Sequence, residues 1–461
     1  MEIIHIYHTN DLHSHFEHWP RIHSFLNDRK QWHQDVGDEV YLFDIGDHVD
    51  RFHPYSDGTM GKGNIELLNQ AGYTAVTIGN NEGITFPHEA LDSMYGQATY
   101  PILVANLFNQ DGTRPDWVKP FQILTTNSGT RVGIIGLTVF YEHLYGLLGW
   151  KLKEPFQELR KQIDQLNGKT DVLILLSHLG LHEDEAIARE FPEIDIILGG
   201  HTHHLLHQGK IINNSMLCAA GKYGQFVGHV TLELENGKVI KREAILYDTN
   251  ELPPVETELE NVNRLHTKGK QLLEKNIVHL SENLISNPLQ ESPLPALLCE
   301  ALHEWCGADC AFMNSGLLLG GLEKGLVTRF DLLEICPHPI NPCLVEISGR
   351  ELKEVLLQTQ EEHWPHLQVT GLGFRGKVMG AFIYSGITVN RKQSMIEVLI
   401  GNEQIVPEKI YKLAIPDMFT FGRYFPEIFR AENKTYYLPE FLRDVLEWKL
   451  KKNYPKFDSN A

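Results

Sequence analysis

The segment that says most about the architecture of this chain reads Ile194-Asp195-Ile196-Ile197-Leu198-Gly199-Gly200-His201-Thr202-His203. Its first half is short, apolar and β-branched, which is typical of a buried strand. The paired glycines after the strand let the backbone pass close to other groups, so that two imidazoles project from one loop. Imidazole nitrogen is a common ligand of zinc and iron. The stretch therefore predicts a strand that ends in a metal-binding loop.

Five more short apolar strands are predicted in the first half of the chain. The further strand candidates are Ile3–Tyr7, Val40–Phe43, Thr74–Ile78, Val132–Gly136 and Val172–Leu176. Polar residues that can bind a metal follow most of them, and the carboxyl ends of such strands meet at one edge of an α/β sheet. Each motif alone is weak, but together they predict one site with these metal ligands: Asp11, His13, Asp47, Asn80, His178, His201 and His203.

Length and charge limit the class of protein. With 461 residues the chain exceeds the ~250–300 residues at which single cores stop growing, so we expect two domains. The formal net charge of −19 opposes binding to a nucleic-acid polymer.

No apolar run is long enough to span a membrane, and the amino terminus lacks the pattern of a signal peptide. We therefore expect a cytoplasmic protein without a membrane partner. Protein partners stay open.

The six cysteines agree with a reducing compartment, because they lack paired Cys-x-x-Cys spacing. We expect reduced, buried thiols at Cys218, Cys299, Cys306, Cys310, Cys336 and Cys343. Cys306 and Cys310 could share a helix face.

The stretch Tyr247–Glu260 is rich in Pro, Asn and Glu, and it predicts a linker. A connecting helix is predicted over Val262–Ile277, so the expected limits are 1–250, 251–280 and 281–461 for first domain, connection and second domain. The second region has helices predicted near Leu294–Trp305 and Gly349–Glu362. Its predicted strands end at Asn314 or lie around Ile396–Ile400 and Leu413–Ile415. The expected class is mixed α/β.

The motifs resemble those of the calcineurin-like metallophosphoesterase superfamily and, more narrowly, of the bacterial 5′-nucleotidase family. Asp-x-His, Gly-Asp, Gly-Asn-Asn-Glu, Ser-His-Leu-Gly and Gly-His-Thr-His follow one another in the family's order. The resemblance implies an α/β (α+β) fold with two parts. These are an N-terminal metallophosphoesterase β-sandwich flanked by helices, and a smaller C-terminal domain of the 5′-nucleotidase type that binds the nucleotide.

The resemblance also implies a role for each ligand. Asp11, His13 and His203 would bind one divalent metal ion, Asn80, His178 and His201 a second, and Asp47 both. Manganese, zinc and iron all suit such ligands, so the identity of the metal stays open. Two ions about 3.5–4 Å apart can hold a bridging hydroxide for attack on phosphorus and neutralise the phosphoryl oxygens.

The sequence departs from the family at the histidine of the Gly-Asn-His-Glu motif, which in close relatives stabilises the transition state or protonates the leaving alkoxide. Asn81 takes its place and Ile84 replaces the aspartate that steadies it. Asn81 can donate a hydrogen bond to a phosphoryl oxygen but cannot transfer a proton at physiological pH. His182 and His48 are candidates for that role, and a surface histidine is the alternative for each.

The second domain matches the family less closely. Asn314 begins the loop that corresponds to the family's phosphate-binding loop, but Leu318 stands where relatives have arginine. Phe374 and Phe425 are the candidates for the aromatic pair that holds the base, with core packing as the alternative. Arg423 replaces an acidic residue of the family and favours a more negatively charged substrate.

These features predict a metal-dependent phosphoester hydrolase that acts on nucleotides or related small phosphate esters, with mono- and cyclic esters both open. The alternative is a metal- and nucleotide-binding sensor with weak or no catalysis, which the changes at Asn81, Ile84 and Leu318 would favour. His204, His207 and most other histidines are expected to be solvated.

Overall fold

The computed structural model describes residues 1–392 and 395–454, and its chain divides into unit 1, Met1–Gly269, and unit 2, Lys270–Ala461. The domain limits at 250 and 281 stay a prediction. No helix within the described ranges is long and apolar enough to cross a membrane.

Unit 1 is built on strands and short helices in alternation. Its strands are β1 (Glu2–Thr9), β2 (Glu39–Asp44), β3 (Ala75–Val76), β4 (Ile102–Leu103), β5 (Leu107–Asn109), β6 (Val118–Lys119), β7 (Phe121–Thr125), β8 (Arg131–Thr138), β9 (Trp150–Leu152), β10 (Val172–His178), β11 (Ile196–Gly199), β12 (Lys210–Ile212), β13 (Ser215–Cys218), β14 (Phe226–Glu235) and β15 (Lys238–Asp248). Its helices are α1 (Trp19–Val36), α2 (Pro54–Gly58), α3 (Lys62–Ala71), α4 (Asn80–Ile84), α5 (His88–Met94), α6 (Glu142–Leu147), α7 (Pro155–Leu166) and α8 (Leu181–Glu190).

Two sheets pack face to face in unit 1. One has the order β15-β14-β1-β2-β3-β4-β6 and the other the order β12-β13-β11-β10-β8-β7. Ile4 and Ile6 of β1 meet Ile174 and Leu176 of β10 in the buried core between them. The helices α7 and α8 cover the outer face of the second sheet through residues such as Leu159. The predicted β-sandwich flanked by helices is confirmed.

Unit 2 contains the end of α9 (Glu258–Leu273) and then a smaller mixed fold. Its strands are β16 (Asn276–Leu280), β17 (Cys310–Asn314), β18 (Gly325–Thr328), β19 (Pro342–Ser348), β20 (Phe382–Ser385), β21 (Ile387–Lys392), β22 (Met395–Ile400), β23 (Glu403–Gln404), β24 (Ile410–Pro416) and β25 (Lys434–Tyr436). Its helices are α10 (Pro293–Cys306), α11 (Arg329–Ile335), α12 (Gly349–Gln358), α13 (Pro426–Arg430) and α14 (Leu442–Asn453). The central sheet has the order β20-β17-β24-β19-β25.

The connection between the predicted domains differs from its prediction. The predicted linker Tyr247–Glu260 overlaps β15 at one end and α9 at the other, which leaves a turn at residues 249–257. The connecting helix starts four residues earlier than predicted, at Glu258, because the acidic side chains that suggested a linker also favour a first helical turn. Ile277, its predicted end, lies in β16 instead.

The cysteines are reduced and buried as predicted, and all six are free. Cys306 and Cys310 do not share a helix face, however. Gly307 ends α10 in the left-handed conformation with φ of 58°, so that Cys310 already belongs to β17. The predicted helix Gly349–Glu362 also ends early, at Gln358.

Candidate metal centre

The loops after β1 and β2 run side by side beyond the end of the first sheet. The backbone amide of Asp11 donates a hydrogen bond of 3.0 Å to the carbonyl of Gly46, and the amide of His13 donates one of 2.8 Å to the carbonyl of Asp47. The two parallel strands thus hold Asp11, His13 and Asp47 in a fixed register past their carboxyl ends.

The other predicted ligands lie at the ends of strands from both sheets. Asn80 is the first residue of α4, and His178 is the last residue of β10. The loop after β11 contacts the loop after β1, because the backbone amide of His201 lies 3.1 Å from both carboxylate oxygens of Asp11. The structure therefore brings together ligand loops from both sheets.

Asp11, His13 and His203 form one group of possible donor atoms. Nε2 of His203 lies 3.2 Å from Nε2 of His13 and 3.3 Å from Oδ1 of Asp11. Nε2 of His13 lies 3.7 Å from the same oxygen. The three side chains thus face a common point.

Asp47 stands between this group and a second one. Its Oδ2 lies 3.7 Å from Nε2 of His13 and 3.5 Å from Nε2 of His178. Beside them, Nδ1 of His201 lies 2.9 Å from Oδ1 of Asn80. All seven predicted ligands are therefore in one cluster, and Asp47 is placed where it can serve both groups.

The backbone of this cluster is strained. Five of the seven predicted ligands have a positive φ between 48° and 70°, which residues other than glycine rarely adopt; they are Asp11, His13, Asp47, His201 and His203. Such strain persists where the surroundings enforce it and is typical of functional sites.

Two glycines of the motifs are required by close approach. A Cβ at Gly79 would lie 2.1 Å from Oδ1 of Asp47 and 2.5 Å from Nε2 of His178. A Cβ at Gly200 would lie 2.9 Å from Nδ1 of His178. The glycines thus leave room for the ligands to converge.

The carboxylates of the cluster favour positive charge on the imidazoles beside them. Burial alone would lower the pKa of His13, yet hydrogen bonds with Asp11 and Asp50 raise it to about 10. Burial opposes the charged form of His178 too, but Asp47 raises its pKa to about 9. Burial would raise the pKa of Asp11, but hydrogen bonds with His13 and His203 hold it well below its usual value. Carboxylates this buried need compensating positive charge.

His178 tests whether these residues fit a metal. Its Nδ1 lies 2.7 Å from the carbonyl oxygen of Ile45, so that nitrogen carries the proton. Its Nε2 is buried without a hydrogen-bond partner among the described residues and faces Oδ2 of Asp47. Without a metal the raised pKa of His178 places a second proton on this nitrogen, facing Asp47, and a divalent cation can take the place of that proton. The donor set therefore fits divalent metal ions.

Three residues that support the ligands were not found from the sequence. Both oxygens of the buried Glu82 accept backbone hydrogen bonds, from Asp47 at 2.9 Å, Val49 at 2.9 Å and Gly79 at 2.8 Å. Its position three residues after Gly79, that of a capping box, was the available signal.

The other two supporting residues orient imidazoles. Oδ2 of the buried Asp50 lies 3.2 Å from Nδ1 of His13, and the hydroxyl of Tyr141 lies 3.2 Å from Nε2 of His201. Partners of this kind fix which nitrogen is free to bind a metal.

The candidates for proton transfer occupy different environments. The side chain of Asn81 is 5% exposed, and its amide donates a 2.8 Å hydrogen bond to Oδ2 of Asp47. His182 is exposed in the first turn of α8. His48 is not a surface histidine but a buried one, packed edge-on against Trp19, and burial lowers its pKa to about 3.

In unit 2 the predicted substrate residues are mostly enclosed. Asn314 is fully buried and donates a hydrogen bond of 2.8 Å to the carbonyl of Met379. Phe374 stacks on His338 with ring centroids 4.9 Å apart. Phe425 is fully buried in an aromatic core with Phe312, Trp364, Phe382 and Phe419.

Arg423 is exposed, and its guanidinium donates a 2.5 Å hydrogen bond to the carbonyl of Thr370. Phe421, two residues earlier, is 45% exposed. In the Phe421-Gly-Arg-Tyr-Phe425 motif, therefore, the open aromatic ring is the first one.

Comparison with known proteins agrees with this architecture. The family model of calcineurin-like phosphoesterases matches residues 4–205, and that of the 5′-nucleotidase C-terminal domain matches residues 276–424. The chain is 41% identical to the uncharacterized metallophosphoesterase YunD of Bacillus subtilis (strain 168), over 97% of this chain and 99% of that one. It is 25% identical to a snake venom 5′-nucleotidase from Gloydius brevicauda, over 83% of this chain and 73% of that one.

A solved structure has the same fold over nearly the whole length. The NAD nucleotidase of Haemophilus influenzae superposes with a TM-score of 0.66 at 16% identity, covering 98% of this chain and 96% of that one.

Fold and site together define a two-part metal-dependent phosphoester hydrolase. The chain belongs to the 5′-nucleotidase family of the calcineurin-like metallophosphoesterases, enzymes that use two divalent metal ions. The expected family, enzyme class and metal requirement are thereby confirmed.

Proposed function

We propose that this hydrolase acts on nucleotides or closely related small phosphate esters, and that the seven clustered residues hold its two metal ions. Asp11, His13 and His203 would bind one ion, Asn80, His178 and His201 the other, and Asp47 both. The observation that carries the assignment is the buried Nε2 of His178, which has no hydrogen bond among the described residues and faces Oδ2 of Asp47 at 3.5 Å.

The two ions would lower the pKa of water and neutralise charge on the phosphoryl group. The protein's own residues supply the geometry for this. Asp50 and Tyr141 orient the imidazoles of His13 and His201, and Glu82 holds the backbone of Asp47 and Gly79 in place.

The site lacks the family's usual proton donor for the leaving group. Asn81 would position Asp47 and could donate a hydrogen bond, while the exposed His182 is the remaining candidate proton donor. Because an alkoxide leaves poorly without a proton, substrates with good leaving groups should be favoured.

The family's C-terminal domain and the nucleotidase relatives support a nucleotide as the substrate. In unit 2, Arg423 could bind additional phosphate or carboxylate groups. Asn314, Phe374 and Phe425 could contribute only after rearrangement, since their side chains are enclosed. The exposed ring of Phe421 is better placed to stack on a base.

Cytoplasmic location and a role in nucleotide catabolism also belong to this proposal. The six buried, unpaired cysteines are consistent with a reducing compartment.

The test is a substrate panel on the full chain with Mn²⁺. It should cover 5′- and 3′-nucleotides, cyclic 2′,3′-nucleotides, UDP-sugars and nitrophenyl phosphate, with Asp47→Asn as the inactive control. Metal-dependent release of phosphate from a nucleotide is the expected result. Nucleotide binding with no turnover of any ester would overturn the proposal in favour of a sensor.

A further inference from the structure

Three histidines outside the metal centre lie close together where helix α1 packs on the first sheet. His5 lies on β1, His229 on the neighbouring strand β14 and His33 in the last turns of α1, which covers the outer face of this sheet. Each residue offers one nitrogen, and the three nitrogens lie within 4.8 Å of one another. His33 and His229 are buried, and the His5 side chain is 12% exposed. The metal centre uses none of these residues.

Two of the imidazoles already face one point. Nδ1 of His5 lies 3.0 Å from Nε2 of His229, and the hydroxyl of Thr231 lies 3.5 Å and 3.4 Å from these two nitrogens. Ligands at 2.0–2.1 Å from a tetrahedral zinc ion are about 3.3 Å apart. The spacing of the His5 and His229 nitrogens is therefore close to what such an ion requires, and the nitrogen of His33 lies within 4.8 Å of both.

Two of the three rings contact a further residue through their other nitrogen. Nε2 of His33 lies 2.9 Å from the hydroxyl of Tyr7, and Nε2 of His5 lies 3.5 Å from Oδ2 of Asp38. A carboxylate or hydroxyl on the far nitrogen is the usual arrangement around imidazoles that bind a metal.

One nitrogen of His33 lacks a partner. Nδ1 of His33, the nitrogen that does not contact Tyr7, is buried and has no hydrogen bond within the described part of the chain. A buried nitrogen without a hydrogen bond carries a cost in folding free energy. Aliphatic side chains would fill a helix–sheet interface without this cost, so the imidazoles need another explanation, such as a bound ion.

The charge state also suits a metal. Burial lowers the pKa of His33 to about 4 and that of His229 to about 3, so both rings are neutral at pH 7 and keep a free lone pair. Asp38 favours a nearby cation, whereas Arg29, stacked on the rings of Phe25 and Tyr247, opposes it. The rings of His5 and His33 stack with centroids 3.6 Å apart, so one must turn when both bind the same ion.

We propose that His5, His33 and His229 form a second, separate site for one transition-metal ion of the zinc type. Three neutral imidazoles suit Zn²⁺ or Co²⁺, whereas Mg²⁺, Ca²⁺ and Mn²⁺ prefer oxygen ligands. Thr231 or a water molecule would complete four-coordination. The ion would cross-link α1 to β1 and β14 and so stabilise unit 1.

Elemental analysis of the full chain after equilibration with Zn²⁺ and desalting tests the proposal. We expect about three zinc ions per chain for the unaltered protein and about two for His229→Gln, because two belong to the metal centre. The difference of one ion remains even if the metal centre itself fails to load, so this test is independent of the proposed function. With Mn²⁺ both proteins should bind about two ions. His279→Gln, an exposed histidine of unit 2, is the matched control and should bind as the unaltered chain does.

His229 is buried, so its substitution could prevent folding. His5→Gln, at a more exposed ring, is therefore the second variant and should also lose one zinc ion. Crystals of the unaltered protein grown with Zn²⁺ should show a peak at the zinc absorption edge among the three rings. Equal zinc content in the unaltered chain and a folded variant, or a map without that peak, would overturn the proposal.

Discussion

Asn81 holds both carboxylate oxygens of Asp47. Its side-chain amide donates a hydrogen bond of 2.8 Å to Oδ2 of Asp47, and its backbone amide donates one of 2.7 Å to Oδ1. The residue that replaces the family's catalytic histidine thus faces the shared carboxylate, where it can position a ligand but cannot deliver a proton.

The first prediction concerns the leaving group. Nitrophenyl phosphate should be hydrolysed far faster than ribose phosphates, since a ribose alkoxide needs protonation. Asn81→His combined with Ile84→Asp should raise kcat/KM for ribose esters by up to about 10²–10⁴-fold, the usual contribution of general acid catalysis. The aryl ester should gain much less. Steady-state kinetics across leaving groups of different pKa measures both effects.

Manganese content of the double variant is the control for this prediction, because the substitution removes the hydrogen bond from Asn81 to Asp47. If the variant keeps its metal and neither class of ester improves, Asn81 is not a catalytic deficit. His182→Ala, with the exposed His279→Ala as its control, would then test the other candidate donor.

The second prediction is the manganese stoichiometry of the metal centre. Reconstitution with Mn²⁺ should give about two ions per chain, since Asp47 lies where one carboxylate can bind both ions. Asp47→Asn should lower occupancy at both positions, whereas His203→Ala should empty mainly one. Elemental analysis under saturating Mn²⁺ decides the matter, and a value that stays at one contradicts a dinuclear site.

The third prediction rests on the close approach at Gly79. Gly79→Ala places a Cβ 2.1 Å from Oδ1 of Asp47, so the ligands must move apart. We expect metal affinity to fall by about 10- to 100-fold, as for changes to groups that orient ligands. Gly96→Ala is the control, because a Cβ there has no neighbour within 4 Å. Equal manganese affinity in the two variants would show that the contact has no role.

The fourth prediction concerns pH and unit 2. Burial raises the pKa of the Asp417 carboxyl to about 7, from an ordinary value of 3.8. A raised pKa means that the folded state keeps the proton. The contribution of the protonated Asp417 carboxyl to the stability of the fold is therefore complete below about pH 4 and is lost as the pH rises to about 7.

Asp417→Asn removes this dependence. The difference in unfolding free energy between variant and parent should shift in favour of the variant by up to about 1.4 kcal/mol per pH unit between pH 4 and 7. Urea unfolding at several pH values measures it, and the exposed Asp116→Asn is the control. A difference that does not change with pH would contradict the buried, protonated state of Asp417.

The cluster of candidate ligands could be predicted from the sequence because each of them follows a strand or begins a helix next to one. Strand ends are recognisable from short apolar runs, and parallel strands place their carboxyl ends together. Asp11, Asp47 and His178 could therefore be grouped although they lie far apart in the chain. The residues that orient them were missed, since the contact of Asp50 with His13 and that of Tyr141 with His201 depend on loop geometry.

The substrate residues of unit 2 show the opposite case. An aromatic residue in a glycine-containing loop can bind a base or fill a core, and local sequence does not distinguish these outcomes. Phe425 and Phe421 stand four residues apart in one motif, yet the first is fully buried and the second is 45% exposed. The packing of three neighbouring segments decides which ring stays open.

Local patterns of apolar residues, glycines and metal-binding side chains were enough to predict the alternation of strands and helices, the family and the seven candidate ligands. The environment of each side chain, by contrast, depends on the tertiary structure. It turned Asn81 toward Asp47, and it buried His33 and His229 beside His5, where sequence patterns had suggested solvated histidines. Burial and partner choice arise from contacts between strands and helices distant in the chain, and no local pattern records them.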